Sequence, residues 1–155
     1  MATTTYLTLT GAKQGPIKGG VTAKGYEGAI AVADVAYGIV SPRDPASGLP
    51  TGKRIHEPVT ITKAIDPSTP QLLEALITNE ALTTAKIDFL EPSGGPAGAL
   101  ALALTITLTN AAISALTSDW SDAQNSEEVQ FVYQKIEVTW IATGKTAIDQ
   151  WNSQT

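Results

Sequence analysis

Residues 41–76 read SPRDPASGLPTGKRIHEPVTITKAIDPSTPQLLEAL, and three kinds of local structure follow one another within them. Pro42, Pro45, Gly48, Pro50 and Gly52 crowd the first part. Proline removes a backbone donor and glycine weakens either regular element, so 41–58 is a long extended loop rather than helix or central strand. Loops of this length inside compact domains are usually functional or disordered. The prolines limit disorder, and Arg43, Asp44, Lys53 and Arg54 carry both signs of charge, which makes the segment a semi-rigid arm that docks on something. Next, Val59, Ile61 and Ile65 alternate with Thr60, Thr62 and Ala64, the period of a half-buried strand, with Lys63 breaking the apolar register. A helix over 69–79 follows. Ser68 and Gln71 have the spacing of a capping box, Thr69 before Pro70 offers a competing start, and Asn79 is the stop. Leu72, Leu73, Leu76 and Ile77 make its apolar stripe.

Strands dominate the rest. Leu7 and Leu9 alternate within 6–10, a strand follows over 29–40, and 83–90 places Ala85, Ile87 and Phe89 on one face. Over 99–109, Leu100, Leu102, Leu104, Ile106 and Leu108 line a core face. The opposite face, Ala99, Ala101, Ala103, Thr105, Thr107 and Thr109, is too small and bland for solvated surface, which would carry Lys and Glu; it is expected to meet a neighbouring subunit or a lumen wall. Ile30 and Val32 belong to a segment apolar on both faces, so it is either an interface strand or a fully buried one. Val129, Phe131 and Tyr133 fall on odd positions, whereas Ile136, Val138 and Trp140 fall on even ones. A bulge or bend between them would carry the strand from one sheet into another. With a turn over 91–98 and a polar loop over 117–127, this gives six to eight short strands and one helix. The fold class is mostly β: a small closed or nearly closed β-barrel of two sheets with one flanking α-helix.

The chain has 155 residues, for which one domain over 1–155 is the expectation. Only 16% of residues are charged, which suits a surface hidden in contacts, and the net charge of −5 disfavours nucleic acid or an anionic membrane as partner. With no cysteine, the fold rests on neither disulfides nor thiolate metal sites. The start, MATTTYLTLT, has neither the basic nor the apolar region of a signal peptide. Export would then require a dedicated machine. The apolar stretch 97–108 is too short to span a bilayer, so no membrane insertion is expected.

The segments SPRDPASGLPTGKR, HEP and ITKAIDPSTPQLLEAL resemble the Hcp (haemolysin-coregulated protein) family, the tube subunits of bacterial type VI secretion systems. KGYEGAIAV at 24–32, LTITLTNAAI at 104–113, VQFVYQKIEVTW at 129–140 and the DQW at 149–151 extend the resemblance over nearly the whole chain. It implies a β-barrel that assembles as a hexameric ring, with rings stacked into a hollow tube. It further implies a spike protein at the tip, a contractile sheath, cargo effectors in the lumen, and a subunit made in the bacterial cytoplasm without a signal peptide and then secreted. The helix and its approach match well, while the Ala/Thr face after Gly98 and the loop at 119–126 depart from the family pattern. An inner-tube protein of a phage tail or extracellular contractile injection particle shares the architecture; a free-standing ligand-binding barrel is the remaining alternative.

Catalytic chemistry is hard to assemble from these residues. His56 is the only histidine and reads as a residue at the start of a strand, bonded to backbone. GLPTGKR at 48–54 and TGKT at 143–146 have the look of phosphate loops but lack the glycine spacing or the hydroxyl that would hold magnesium, so both are turns. Asp119, Asp122, Glu127 and Glu128 read as solvated acids. Trp120 has either a packing partner or a binding role, with packing favoured. No enzyme, cofactor or metal site is therefore expected. Arg43, Asp44, Lys53 and Arg54 are the candidate ring-stacking contacts, and Ala99, Ala101, Ala103, Thr105, Ile30 and Val32 the candidate interface faces.

Overall fold

A computed structural model describes residues 4–95, 99–123 and 125–150. In chain order its elements are β1 (Thr4–Gly11), β2 (Gly15–Ile17), β3 (Ile30–Val32), β4 (Asp34–Ala36), β5 (Ile39–Val40), β6 (Ile55–His56), β7 (Val59–Lys63), α1 (Thr69–Ile77), β8 (Leu82–Pro92), β9 (Leu100–Trp120), β10 (Asn125–Val132), β11 (Lys135–Trp140) and β12 (Lys145–Gln150). The strands outnumber the six to eight expected, partly because the single strand read over 29–40 breaks into β3, β4 and β5. The turn expected over 91–98 lies partly outside the described residues, as does Trp151 of the DQW tail.

Antiparallel pairing runs β2–β1–β8–β9–β10–β7–β4, so the fold is mostly β with one helix. The wall curls into a barrel that is nearly closed. Its edges β1 and β7 do not pair with each other; instead 30–36 spans the gap, with β3 laddered to β1 and β4 to β7. Between them the Ala33 amide donates to the Thr62 carbonyl at 2.7 Å. Inward positions follow the alternation read from sequence: Leu7, Leu9, Ala85, Ile87, Ile106 and Leu108 are all buried. Ile30 and Val32 are buried in the same core, 0% and 9% exposed, so burial within the protomer is the placement observed for that strand.

β9 serves both sheets. Its first half pairs with β8 and β11, its second with β10. The change occurs at Asn110, whose φ of 52° takes the left-handed conformation that asparagine tolerates better than most residues. Inward residues are even-numbered before it (Ile106, Leu108) and odd-numbered after (Ala111, Ile113). The partner strand bends at the same level: Gln134, between β10 and β11, donates its amide to the Thr109 carbonyl at 3.2 Å. The bend expected between Tyr133 and Ile136 is therefore one side of a corner that folds a whole hairpin. The polar loop expected over 117–127 is mostly strand, only 121–124 lying between β9 and β10.

Pro70 sits in the first turn of α1, whose N–H groups need no intrahelical partner. The capping box does not form, because Asp66 takes the Ser68 amide (2.9 Å) as well as its hydroxyl. At the other end Asn79 turns left-handed (φ 54°) while its amide reaches Leu76 O and that of Glu80 reaches Ala75 O, a Schellman stop. This aims Glu80 at the β1–β2 turn, where its carboxylate accepts from the Lys13 and Gln14 amides at 2.8 and 2.7 Å. These bonds, that from the Gln14 amide foremost, hold the Glu80 carboxyl below its usual range. Gly11 makes room for it: a Cβ there would lie 2.2 Å from Glu80 Oε2. Leu72 and Ala75 form the buried stripe of α1, with Leu76 beside them; Leu73 and Ile77, expected in that stripe, are 45% and 67% exposed.

Lys63 does not break the strand. It keeps the inward register of Val59 and Ile61 and is 1% exposed. Its ammonium meets Glu127, also 1% exposed, together with Asp66 Oδ1 and the Ala64 carbonyl, each at 3.0 Å. Glu127 accepts further bonds from Thr69 Oγ1 (2.8 Å) and Ser118 Oγ (3.0 Å). The solvated-acid reading of Glu127 is thus corrected: inward alternation on β10 carries it into the core, where charge is tolerable only when paired and hydrogen-bonded.

Candidate assembly interface

The proline-rich segment proves to be a hairpin rather than a structureless loop. β5 and β6 ladder its root through Ile39–His56 and Val40–Ile55, and the Glu57 amide donates to Gly38 O. Farther out, the Thr51 amide donates to Pro42 O (3.0 Å) and Arg43 bridges Pro50. Pro42 is accommodated because only its carbonyl is used, and Pro50 because the bonds of its bridge come from the residues on either side. At the tip, Asp44 N donates to Leu49 O and Gly48 N to Asp44 O. The Asp44 carboxylate gathers the Ala46 amide (3.0 Å) and Ser47 Oγ (2.9 Å). Those bonds, that from Ala46 first, lower its pKa.

A second set of bonds ties the root to β12. Arg54 donates from Nε to Asp149 Oδ2 (2.9 Å) and from Nη2 to Oδ1 (2.8 Å), a bidentate fork. His56, two residues on at the end of β6, reaches the same carboxylate, with Nε2 2.7 Å from Asp149 Oδ2 and Nδ1 3.0 Å from the Tyr133 hydroxyl. Arg54 above all, then His56, holds the Asp149 carboxyl below its ordinary value. Burial, followed by the Asp149 charge, pushes the Tyr133 hydroxyl up to about 12. The side chains of His56 and Asp149 are only 1% and 20% exposed.

A carboxylate lowered on folding contributes stability that is full above its unfolded pKa, about 3.9, and is lost as pH falls through the lower folded value. The root therefore stays docked through the mildly acidic range. Followed by NMR from pH 7 downward, the Arg54 Nε–H resonance should hold its bonded position to about pH 4 and move to the free one below. Release already near pH 6 would show that Asp149 is not what holds it.

The four charged candidates do not form one patch. Arg43 and Asp44 lie near the tip, Arg43 exposed and Asp44 half-buried; Lys53 is exposed near the root, and Arg54 is engaged by Asp149. Of the bland face, Ala101 is exposed, Ala99 and Ala103 are half-buried, and Thr105 is buried, donating to Asp88 Oδ1 at 2.9 Å. Of the opposite face, only Ile106 and Leu108 are fully in the core. Leu104 lies with Phe89, Leu90, Ala103 and Trp140 in an apolar cleft where the sheet runs past the barrel, and Leu100 is 40% exposed. Trp120, for which packing was favoured, stands 70% exposed at the end of β9. Tyr37, Ile39, Val40, Leu49 and Ile55 likewise leave apolar surface uncovered along the arm.

Two residues escaped the sequence reading. Asp149 was noted only as part of a tail motif, and His56 was expected to bond backbone rather than two side chains. The Arg-x-His spacing of 54–56 was the available signal, since in extended backbone it turns two polar side chains the same way.

A barrel wall bridged by one bent segment, a hairpin arm held by a carboxylate and apolar edges left open form a combination that can be compared with known proteins. The family model described as type VI secretion system effector, Hcp, matches residues 6–140. A protein of Pseudomonas aeruginosa named major exported protein is 35% identical over 99% of this chain and 98% of its own length. A solved structure of an Hcp1 protein variant from the E. coli EAEC 042 pathovar is 30% identical, with a TM-score of 0.87 over 97% of this chain and 99% of that one. The secreted protein Hcp3 from Pseudomonas aeruginosa is also 30% identical, with a TM-score of 0.80 over 98% and 100%. Sequence and fold agree across nearly the full length, arm included, and on that ground the chain belongs to the Hcp family of type VI secretion system proteins.

Proposed function

We propose that this chain is a tube subunit: six copies close into a ring, rings stack into a hollow tube, and the tube delivers effectors and is itself exported. A surrounding contractile sheath and a spike at the tip complete the machine in this reading. The observation that carries it is the arm, a hydrogen-bonded hairpin with Tyr37, Ile39, Val40, Leu49 and Ile55 all at least 42% exposed. A protomer that lived alone would gain by covering or replacing them, since so many large apolar side chains left open on one segment point to an interaction surface. Arg43, Asp44 and Lys53 are the proposed ring-to-ring contacts, and Ala99, Ala101 and Ala103 the proposed subunit seam. Charged contacts of this kind are individually weak when exposed, but a ring repeats each of them.

Light scattering on the purified protein, followed by negative-stain imaging of the same sample, tests the proposal. The expected result is a mass of six subunits and annular particles. A monodisperse monomer across the accessible concentration range would overturn it.

A further inference from the structure

Resting on the ring-and-stack reading, we infer that Asp149 is the positioning residue that aims the arm at the next ring. Its carboxylate receives both oxygens' worth of the Arg54 fork, and Oδ2 also meets His56 Nε2 at 2.7 Å. Arg54 and His56 both belong to the returning side of the arm's root, whereas Asp149 belongs to β12, which is laddered to β11 and through it to β9. The carboxylate thus joins the arm to the main wall at a point far along the chain from the arm's own backbone attachments. A planar guanidinium bonded at two nitrogens resists rotation in a way that a single ammonium contact does not. Orientation matters because the arm is a lever. From Arg54 the returning side runs back to Leu49, where the tip turn closes, about 17 Å at strand rise, so a swing of about 10° at the root moves the tip by about 3 Å, as much as the whole length of a hydrogen bond. Arg54 accordingly acts through Asp149 rather than by touching the neighbouring ring, which distinguishes it from Arg43 and Lys53.

The test compares Asp149→Ala and, as a milder change that keeps the charge and loses the fork, Arg54→Lys with the unaltered protein. Hydrogen exchange is read at the Asp44, Thr51 and Glu57 amides, with the β9 amides as control. Sedimentation at rising concentration reads association beyond the single ring. Arm amides exchanging about tenfold faster with β9 unchanged, rings intact and inter-ring association lost is the expected result for Asp149→Ala, with Arg54→Lys intermediate. If Asp149→Ala does not fold, the same two readouts on Arg54→Lys decide. Unchanged arm exchange overturns the inference, and so does a released arm in rings that associate as before. An unaltered protein that never exceeds ring mass also overturns it. An unaltered protein that stays monomeric instead overturns the ring reading itself, and the exchange comparison still shows whether Asp149 holds the arm.

Discussion

Glu127→Ala lowers the unfolding free energy by about 3–5 kcal/mol, and Lys63→Ala does the same, because either change leaves a buried charge without the one opposite charge that is as deeply buried as itself. Both side chains are 1% exposed, so water cannot make good the loss. Glu127 also ties Thr69 at the start of α1 to Ser118 on β9, and Lys63 closes on Asp66 in the turn before the helix. Losing Glu127 therefore loosens the helix start as well as the β7–β10 ladder. The double variant Lys63→Met, Glu127→Leu costs clearly less than the sum of the two single changes, since neither charge of the fully buried pair is left without the other. Urea unfolding at fixed protein concentration measures this as a shift in midpoint with an unchanged slope. Additive costs would show that the pair is not coupled.

Leu72→Ala costs about 2–5 kcal/mol, while Leu73→Ala, its neighbour with the same side chain, changes stability by no more than about 0.5 kcal/mol. Leu72 is fully buried and is the largest side chain that α1 sinks into the core; Leu73 is 45% exposed. The contrast is sharp because propensity, size and hydrophobicity are identical and only the direction of the side chain differs. The same urea titration decides it, and equal losses would mean that the helix packs through a different face. If Leu73 is covered in the assembled ring, its alanine variant weakens assembly without moving the protomer's unfolding midpoint.

Features that depend on near neighbours were legible in the sequence. Alternation at Leu7 and Leu9, at Ala85 and Ile87, and at Ile106 and Leu108 gave the core face of each strand, and Pro70 and Asn79 bracketed the helix. The change of register after Tyr133 exposed one side of the corner. Its mate at Asn110 went unread, because small Ala and Thr residues on both sides blur the contrast that marks a face. Lys63 and Glu127 were misread for a different reason: each is locally anomalous, and each makes sense only beside a partner 64 positions away. The arm's root repeats this, since β5 and β6 are too short to show a period and Asp149 lies 95 positions from Arg54. Trp120 was judged by the polarity of its neighbours in sequence, yet its exposure is set by where β9 outruns the barrel.

The bridged wall also bears on time. Leu7 on β1 faces Ile87 on β8, and at about 5–20 residues per second a ribosome takes roughly 4–16 s to make the chain between them. Through that interval β1 has only β2 and β3 as neighbours, and the edge that β8 will occupy stays open. Pairings this distant also place the fold among slow formers, on the order of milliseconds to seconds after the last strand is available. β12, with Asp149, is synthesised after every other described strand. The arm is therefore translated early and docked last, so that a growing chain carries its proline-rich hairpin without the Asp149 tie until the barrel behind it is complete.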